Sequence, residues 1–547
     1  MINKGKRINT EIQAKRFAIG ITPLLWIGWE RMYSAVCVTP LLWRGWERFA
    51  VSHYASPLER MGEEKSRYMK KIAILSLMFV AVTITSCKKY LDVKPQQTFG
   101  NNLAVSTLQG LQTGVVGAFS QMQSGNLYGG GIIANSELVA DYINPSTTIQ
   151  VDFSLGQLYT HQFNAYNSAA GGMWNDAYGA ILTANTVLQY LPNFQAQDPT
   201  TCNQLKGECL FIRAAMHYEL VRMFAQPSGH TADDSHLGVP IRLTPGTATT
   251  GQNTPRSTVA QVYAQVIADL TAAEALLPAD RKSVGSGTVG LNFVSKYAAE
   301  AFLAKVYFSQ NDYTQAENYA SMVLSAGFTL NDSIAPTSTA SVYSQLGGVS
   351  TNETVFQVIN TTTDDPASGT LHGRFSVAPF GSTVPGYSLN TPFATILQSA
   401  QAVGDLRFTK LYKKSFGQYF CQKYSPQYAN VAVVRLAEMY LISAECKAQL
   451  GAADADVRSD YNKTRVRAGL VVDNSTSGKA ALLSAIRAER DLELAMEGDH
   501  YFEIKRRKGS FNTPGAGVLA WNAPTMIYPI PAQEVNSNKN MVQNPGY

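Results

Sequence analysis

The sequence of 547 residues carries little charge, and its small excess of positive charge is confined to one end. Only 16% of the residues are charged, and the formal net charge is +5. Residues 1–86 contain 13 Lys and Arg against 6 Asp and Glu, whereas the rest of the chain contains 32 basic and 34 acidic residues. Nucleic-acid binding depends on a cationic surface that neutralises phosphates. The balance beyond residue 86 therefore argues against a DNA- or RNA-binding protein.

Cysteine is also scarce. The six cysteines form no CxxC pair, which argues against a zinc ribbon. Cys202 and Cys209 are close enough in sequence to form a disulfide, but Cys209 lies in a helical pattern, where a free cysteine is often a small core residue. The disulfide state of these two residues, and of Cys421 and Cys446, stays open at the level of sequence.

Common catalytic motifs are missing as well. The chain contains no HExxH, GxSxG or P-loop sequence. GSGTVG at 285–290 matches GxGxxG, but no strand precedes it, and a dinucleotide site needs that context. The loop HTADDSH at 230–236 has side chains that could hold a metal, but a solvated loop between helices is the favoured interpretation. No carboxylate pair of the kind that glycosidases use stands out. We therefore expect a non-enzymatic protein without metal or cofactor.

Long hydrophobic runs are scarce too. The apolar run Ile72–Val82 is too short to span a bilayer, which takes about 20 apolar residues. Two lysines precede this run, which gives it the charge and size of a signal-peptide core. The segment Ile84–Cys87 then places small residues before a cysteine and resembles a bacterial lipobox. The resemblance implies that residues 69–86 are a lipoprotein signal peptide and that Cys87 is lipidated.

The 68 residues before this segment contain a near-repeat. It reads ITPLLWIGWER at 21–31 and VTPLLWRGWER at 38–48, and it holds four of the six tryptophans. Because a signal peptide normally begins a chain, we expect residues 1–68 to be a spurious or disordered extension, with Met69 as the true initiator. A basic, aromatic arm at a membrane surface is the alternative. Either way, these residues are excluded from the fold argument.

Beyond Cys87 the hydrophobic pattern is mainly helical. Thr258 and Gln261 form a capping-box pair ahead of one amphipathic helix. Residues 297–307 and 313–324 then form two helical patterns with alanine at close-packing positions, as in tetratricopeptide pairs. Similar patterns cover 174–191, 205–224 and 436–470. The sequence therefore predicts a mainly α fold of tetratricopeptide-like stacked helical hairpins, since such pairs must stack to bury their apolar faces.

Two long insertions interrupt the helical patterns. Residues 125–170 and 331–391 are rich in Gly, Ser, Thr, Asn and aromatics and show no helical period. Within the second, residues 354–359 predict a short strand, so that a minor β component is expected. Residues 509–547 predict coil. Long insertions in a compact domain are usually functional or disordered, so these two are the expected ligand-binding regions.

Six segments of the chain resemble the SusD/RagB family. They are CKKYLDVKPQQTF from Cys87, MWNDAYGAILTANTVL from Met173, LKGECLFIRAAMHYELVRMFAQP from Leu205, VVRLAEMYLISAEC from Val433, RAERDLELAMEGDHYFEIKRRKG from Arg487, and the ending IYPIPAQEVNSNKNMVQNPGY. They are spread over 87–547, which is therefore expected to be one SusD-like domain. Leu210 stands where the family has Arg, and His500-Tyr501 replaces Arg-Trp; both departures concern packing or local ion pairs.

The resemblance implies a function. It implies a lipid-anchored protein on the outer membrane that binds a nutrient glycan or oligosaccharide at the cell surface. It implies that the protein delivers this ligand to a SusC-like TonB-dependent barrel, which it caps as a lid. A peptide ligand, as in the RagB branch, is the alternative, and a surface hydrolase is the least favoured interpretation.

The resemblance also suggests which residues serve which role. In this family the ligand surface is built from the early insertion and from loops between helices, so aromatic and polar residues of the two insertions are the candidates. These candidate ligand-binding residues are Asp141, Tyr142, Asn144, Tyr159, Tyr166, Phe375, Phe380 and Tyr387. The motif residues on helices are expected to pack or pair within the scaffold instead. They are Trp174, Tyr178, Glu208, Arg213, Arg435, Glu438, Glu445, Glu489 and Arg490.

Overall fold

The structure, a computed structural model, describes residues 105–246, 253–279, 294–338, 340–347, 350–377, 386–513 and 516–547. All of these residues belong to one compact unit, which spans Gln97–Tyr547. The predictions about residues 1–68, the signal segment 69–86, Cys87, Phe380 and the GSGTVG segment at 285–290 lie outside the described residues.

Helices dominate this unit, as the periodicity predicts. The described α-helices, in chain order, are α1 Leu108–Met122, α2 Gly131–Val139, α3 Thr147–Gln150, α4 Leu155–Tyr159, α5 Ser168–Tyr190, α6 Pro199–Phe224, α7 Val259–Leu276, α8 Lys296–Ser309, α9 Tyr313–Leu324, α10 Leu371–Phe375, α11 Thr391–Ala402, α12 Arg407–Leu411, α13 Leu436–Leu450, α14 Asp454–Arg467, α15 Lys479–Glu493, α16 Asp499–Arg506 and α17 Ala532–Ser537.

The long helices stack in chain order. Helix α1 packs on α5, α5 on α6, α6 on α7, α7 on α8, α8 on α9, α9 on α13, and α13 on both α14 and α15. The capping box predicted for α7 is present, because the Thr258 hydroxyl accepts from the Gln261 amide and the Gln261 side chain accepts from the Thr258 amide. Buried alanines in α8 and α9 let these helices approach closely. The mainly α fold of stacked hairpins is confirmed.

The strands form three small antiparallel sheets. In chain order they are β1 Ile143–Pro145, β2 Thr354–Val358, β3 Tyr387–Leu389, β4 Tyr412–Ser415, β5 Gln418–Cys421, β6 Val431–Arg435, β7 Ser510–Thr513 and β8 Gly517–Ala520. One sheet has the order β1-β3-β5-β4, β2 pairs with β6, and β7 pairs with β8. Strand β2 confirms the predicted strand in the second insertion. The four-stranded sheet joins residues of both insertions, since β1 pairs with β3.

Two regions contain more regular structure than the sequence predicts. The first insertion holds α2, α3 and α4, although no helical period is visible there. Every residue of α2 is buried, so its sequence shows no polar face from which a period could be read. The C-terminal stretch, predicted as coil, holds the β7–β8 hairpin and α17. The four described cysteines are free and buried, so the disulfide interpretation for Cys202 and Cys209 is wrong and the core interpretation is right.

The motif residues serve the scaffold, as predicted. Trp174 is 1% exposed and contacts Tyr178 and Phe224, with ring centroids 4.8 and 5.0 Å away. Arg213 donates two hydrogen bonds of 2.7 Å to the carboxylate of Asp269, which joins α6 to α7. The other motif residues on helices are buried as well; they are Glu208, Glu438, Glu445, Glu489 and Arg490. Arg435 is buried too, but it ends strand β6 and does not lie on a helix as predicted, because its backbone is extended. These residues identify helix contacts rather than a binding surface.

A buried ion network centres on Glu493, the last residue of α15. Its carboxylate lies 2.6 Å from Arg435 Nη1 and 3.3 Å from Arg407 Nη1, and it also pairs with Arg467. The three arginine side chains are at most 6% exposed. Burial alone would raise the pKa of Glu493, but the three guanidinium groups hold it well below its usual range. The network therefore keeps its charges while joining α12, β6, α14 and α15.

A second carboxylate extends the network toward the four-stranded sheet. Glu497 accepts hydrogen bonds from Arg435 Nε at 2.7 Å and from Lys423 Nζ at 2.5 Å. Lys423 is fully buried, and its ammonium group also donates to the carbonyl oxygens of Glu493 and Ala495. Lys423 follows β5 by two residues. The last turn of α15 and the residues after it thus hold one end of β5 in place.

Replacing Glu493 with glutamine removes the carboxylate that three buried guanidinium groups share, while Arg407 keeps Asp405, and Arg435 and Arg467 keep Glu353. Leaving a buried charge without any partner costs roughly 3–5 kcal/mol, so we expect Glu493→Gln to lower the free energy of unfolding by up to about that amount. Urea unfolding followed by circular dichroism measures it. The control is Glu534→Gln, which removes a more exposed pair with Arg242 that is worth only about 0–1 kcal/mol. Equal effects of the two variants would contradict a central role for Glu493.

Candidate functional site

A cleft of about 440 Å³ lies beside the four-stranded sheet, where the two insertions meet. Its lining comes from β1 and α3 of the first insertion, from β3 of the second, and from the β4–β5 hairpin. The lining residues are Asn144, Pro145, Ser146, Thr147, Gln150, Gly386, Ser388, Phe416, Gln418 and Phe420. Hydroxyl and amide groups thus surround two phenylalanine rings. Such a mixture suits a ligand that has both hydroxyl groups and an apolar face.

Backbone pairing fixes the wall that β1 and β3 build. The amide of Ser146 donates to the carbonyl of Gly386 at 3.1 Å, and the Ser388 hydroxyl donates to the carbonyl of Asn144 at 3.1 Å. The Tyr159 hydroxyl donates to Asn144 Oδ1 at 3.4 Å. The buried hydroxyl of Ser146 has no hydrogen-bond partner among the described residues. The side chain of Asn144 is therefore held in place at the cleft, while the Ser146 hydroxyl is buried and unpaired beside it.

The opposite wall ends in a tight hairpin turn. Ser415 pairs with Gln418, so Phe416 and Gly417 form a two-residue loop, and both have positive φ, 48° and 78°. These angles correspond to a type I′ turn, whose first position favours Asn, Asp or Gly. Phe416 nevertheless occupies it and is 71% exposed. Sequence reasoning missed this residue; a Gly in a polar break between two short strand patterns, KKSFGQYF, was the available signal.

The predicted ligand-binding residues lie in different environments. Asn144 lines the cleft, and Tyr166 lies on the surface, 83% exposed. Phe375 and Tyr387 are 0% and 1% exposed, and their rings contact each other edge-on with centroids 5.4 Å apart. Tyr159 is 9% exposed, and its hydroxyl reaches the cleft only through its hydrogen bond to Asn144. Phe375 and Tyr387 thus form the packing behind β3, because their rings fill the space between the sheet and α10.

Asp141 and Tyr142 form a cluster with His500 at the start of β1. The Tyr142 ring stacks between Phe393 and His500, with centroid distances of 3.9 and 3.6 Å. His500 Nε2 donates to Asp141 Oδ1 at 2.8 Å, and Nδ1 lies 3.8 Å from the Asp491 carboxylate. Burial lowers the pKa of His500, but the two carboxylates outweigh burial and raise it to about 9. The charged imidazolium therefore fastens the segment that leads into the cleft.

The histidine-containing loop at 230–236 is held by its own hydrogen bonds. The two ring nitrogens of His236 lie 3.0 Å from the Thr231 hydroxyl and 2.9 Å from the Gln226 carbonyl. The Asp234 carboxylate accepts from the Ser228 hydroxyl and the Gly229 amide. No cluster of three or more His, Cys, Asp or Glu suited to a metal occurs within the described part of the chain. The loop is therefore explained by local structure.

Three other cavities compete with the cleft. One of about 90 Å³ lies inside the scaffold among charged residues of α6, α13 and α16 and has room for only a few water molecules. A second, of about 690 Å³, lies along α5 and is bordered by the Arg242–Glu534 ion pair. A third, of about 460 Å³, lies between α14 and residues 472–474. None of the three is built from both insertions. Among the helices that the structure describes, none combines the length and apolar character needed to cross a bilayer.

Comparisons with known proteins agree with this architecture. Residues 89–308 match a family described as starch-binding and associating with the outer membrane, and residues 408–547 match the SusD family. SusD-like protein P2 from Formosa agariphila is 23% identical over 88% of this chain and 100% of its own length. A SusD superfamily protein from Bacteroides thetaiotaomicron superimposes with a TM-score of 0.71 at 22% identity, over 80% of this chain and 100% of the other.

A laminarin-binding SusD-like protein superimposes with a TM-score of 0.62 at 21% identity, over 80% of this chain and 99% of the other. At these identities the solved structures establish the fold. Together with the two matched regions and the six sequence segments, they define a protein of stacked helical hairpins with long insertions. The chain belongs to the SusD/RagB family.

The raised pKa of His500 makes stability depend on pH. Because the folded-state pKa of about 9 exceeds the unfolded value of about 6.5, the stabilisation is fully present below pH 6.5 and is lost as pH rises through 9. We expect a loss of up to about 3 kcal/mol across that window, measured as the urea midpoint against pH. In His500→Asn this part of the pH dependence should vanish, whereas the control His230→Asn, an exposed histidine, should retain it. An unchanged profile in His500→Asn would refute the assignment.

Proposed function

We propose that this protein binds a nutrient glycan or oligosaccharide at the cell surface without converting it, and delivers it to a SusC-like TonB-dependent barrel that it caps as a lid. The observation that carries the proposal is the composition of the cleft between the two insertions. Family membership, the starch-binding description of the matched family and the laminarin-binding structural neighbour support a carbohydrate as the ligand class.

The cleft has the groups that a sugar needs. A pyranose ring presents an apolar face of C–H groups and a rim of hydroxyls, so it is recognised by an aromatic ring together with amide and hydroxyl groups. Phe416 supplies an exposed ring, and Asn144 and Gln418 supply amides. These groups lie on strands and a tight turn, which hold them without a large loss of conformational freedom on binding.

Of the residues predicted from sequence, four are proposed to contact the ligand directly, three of them within the described part of the chain. Asn144 lies in the cleft, while the partly exposed Asp141 and the exposed Tyr166 would extend the contact along the first insertion. Four buried aromatics are proposed to act by holding β1 and β3 in position: Tyr142, Tyr159, Phe375 and Tyr387. Phe380 follows α10 in the sequence and is proposed as a further contact.

Binding without turnover fits the same lining. Glycosidases use a pair of carboxylates across the scissile bond. Among the described residues that line the cleft, none carries a carboxylate. A ligand could therefore be held there by hydrogen bonds and stacking, and the single carboxylate of Asp141 beside the cleft does not make the pair that a glycosidase needs. Release of reducing ends from starch or laminarin during incubation would count against this part of the proposal.

Removing the exposed amide of Gln418 should weaken binding and leave the fold intact. We expect Gln418→Ala, alone and combined with Asn144→Ala, to weaken binding by about tenfold or more, the equivalent of one or two lost hydrogen bonds. Isothermal titration against soluble starch, laminarin and a set of peptides measures it. Gln197→Ala, which removes an exposed glutamine outside the cleft, is the control. Binding of peptides alone would favour the peptide alternative.

The lipid anchor and the barrel partner are tested in cells that produce the full chain. If Cys87 carries the acyl chains, the wild-type protein should fractionate with the outer membrane and be accessible to antibody on intact cells, while Cys87→Ala should be lost from that fraction. The control is Cys202→Ala, because Cys202 is a buried core residue. Affinity purification of the anchored protein should recover a TonB-dependent barrel. An unacylated protein that recovers no barrel would contradict the proposal.

A further inference from the structure

The binding cleft is uncharged in a protein whose scaffold is rich in buried ion pairs. The residues that line it carry amide, hydroxyl, aromatic or backbone groups, and none of those described has an ionisable side chain. The scaffold beside it uses arginine and lysine freely, as around Glu493. The absence of a cation from the lining therefore sets the cleft apart from its surroundings.

An anionic sugar would be poorly served by such a site. Uronate and sulfate groups lose hydration when they bind, and proteins compensate with the charge-assisted hydrogen bonds of Arg or Lys. Neutral hydroxyl groups need only amide and hydroxyl partners, which Asn144, Gln418 and the exposed Thr147 can supply. The chemistry of the lining thus selects among saccharides by charge.

The exposed Phe416 ring is the second distinctive feature of the cleft. A bulky residue with φ of 48° has an uncommon, strained backbone conformation, and such residues cluster at ligand-binding sites. Asn at this position would make the favoured Asn-Gly turn. Phe416 is thus unfavourable for the turn and 71% exposed, so its ring is available for contact with a ligand.

We propose that, given the glycan-binding function above, the cleft selects an uncharged saccharide and that Phe416 determines its affinity by stacking on the apolar face of a sugar ring. Lys413 lies on the same hairpin, and its Cα partner across the hairpin is the lining residue Phe420. Lys413 lies outside the lining. It is therefore the residue through which an acidic sugar would be recognised if the proposal were wrong.

The first experiment compares neutral and acidic forms of one polymer. Laminarin and soluble starch are titrated before and after oxidation of their C6 hydroxymethyl groups to carboxylates, at low and at high salt. The proposal expects binding of a neutral form that changes little with salt, and at least about tenfold weaker binding of its oxidised form. If the acidic form bound as tightly as the neutral form or more tightly, and Lys413→Ala abolished that binding, the selection of uncharged saccharides would be overturned. The proposed glycan-binding function would still stand. Binding of neither form, with peptides bound instead, would overturn the proposed function as well.

The second experiment separates binding from folding. Phe416→Asn should weaken binding of the neutral glycan about tenfold while its thermal midpoint stays equal or rises, because the turn becomes favourable. Phe416→Tyr, which keeps the ring, should bind like the wild type. Tyr428→Asn is the matched control, since Tyr428 also has positive φ, 65°, but lies outside the cleft; it should leave binding unchanged. Unchanged binding in Phe416→Asn would refute the role of the ring.

Discussion

The carboxylate of Glu493 and the arginines around it are the constraint on which the rest of the structure depends. Buried charges are stable only when every charge is paired and hydrogen-bonded, so these side chains admit few alternative arrangements. They come from segments that are distant in sequence, since Arg407, Arg435 and Arg467 lie on α12, β6 and α14. The helix stack at the C-terminal side is thereby fixed relative to the strands.

The same network reaches the candidate binding site through Lys423. Its ammonium group donates to Glu497 and to carbonyl groups at the end of α15, and it sits two residues beyond β5. Strand β5 carries Gln418 and adjoins the turn that presents Phe416. Because one end of this short hairpin is anchored, the turn at its other end can be exposed to solvent and still keep a defined conformation. A preformed binding surface requires such a conformation.

The helical scaffold could be predicted because its signals are local. The capping box of Thr258 and Gln261 and the alanine-rich pair α8–α9 are visible within a few residues of sequence, and both are confirmed. The binding cleft could be predicted only as a region. Asn144 was among the candidates and does line the cleft, but Ser388 and Gln418 were not, because short strands with irregular flanks give no period to read.

The sequence by itself determined the family, the mainly α scaffold and the two insertions that carry the proposed binding surface, because periodicity, caps and motif spacing are properties of contiguous residues. Only the tertiary structure decided which side chains meet. Tyr387 is buried while Phe416 is exposed, and an aromatic ring has the same sequence signature in either place. Tyr387 is buried because β3 pairs with β1, and this contact joins residues far apart in the chain. Phe416 is exposed because of the backbone angles of the β4–β5 turn, which the composition of the sequence does not reveal.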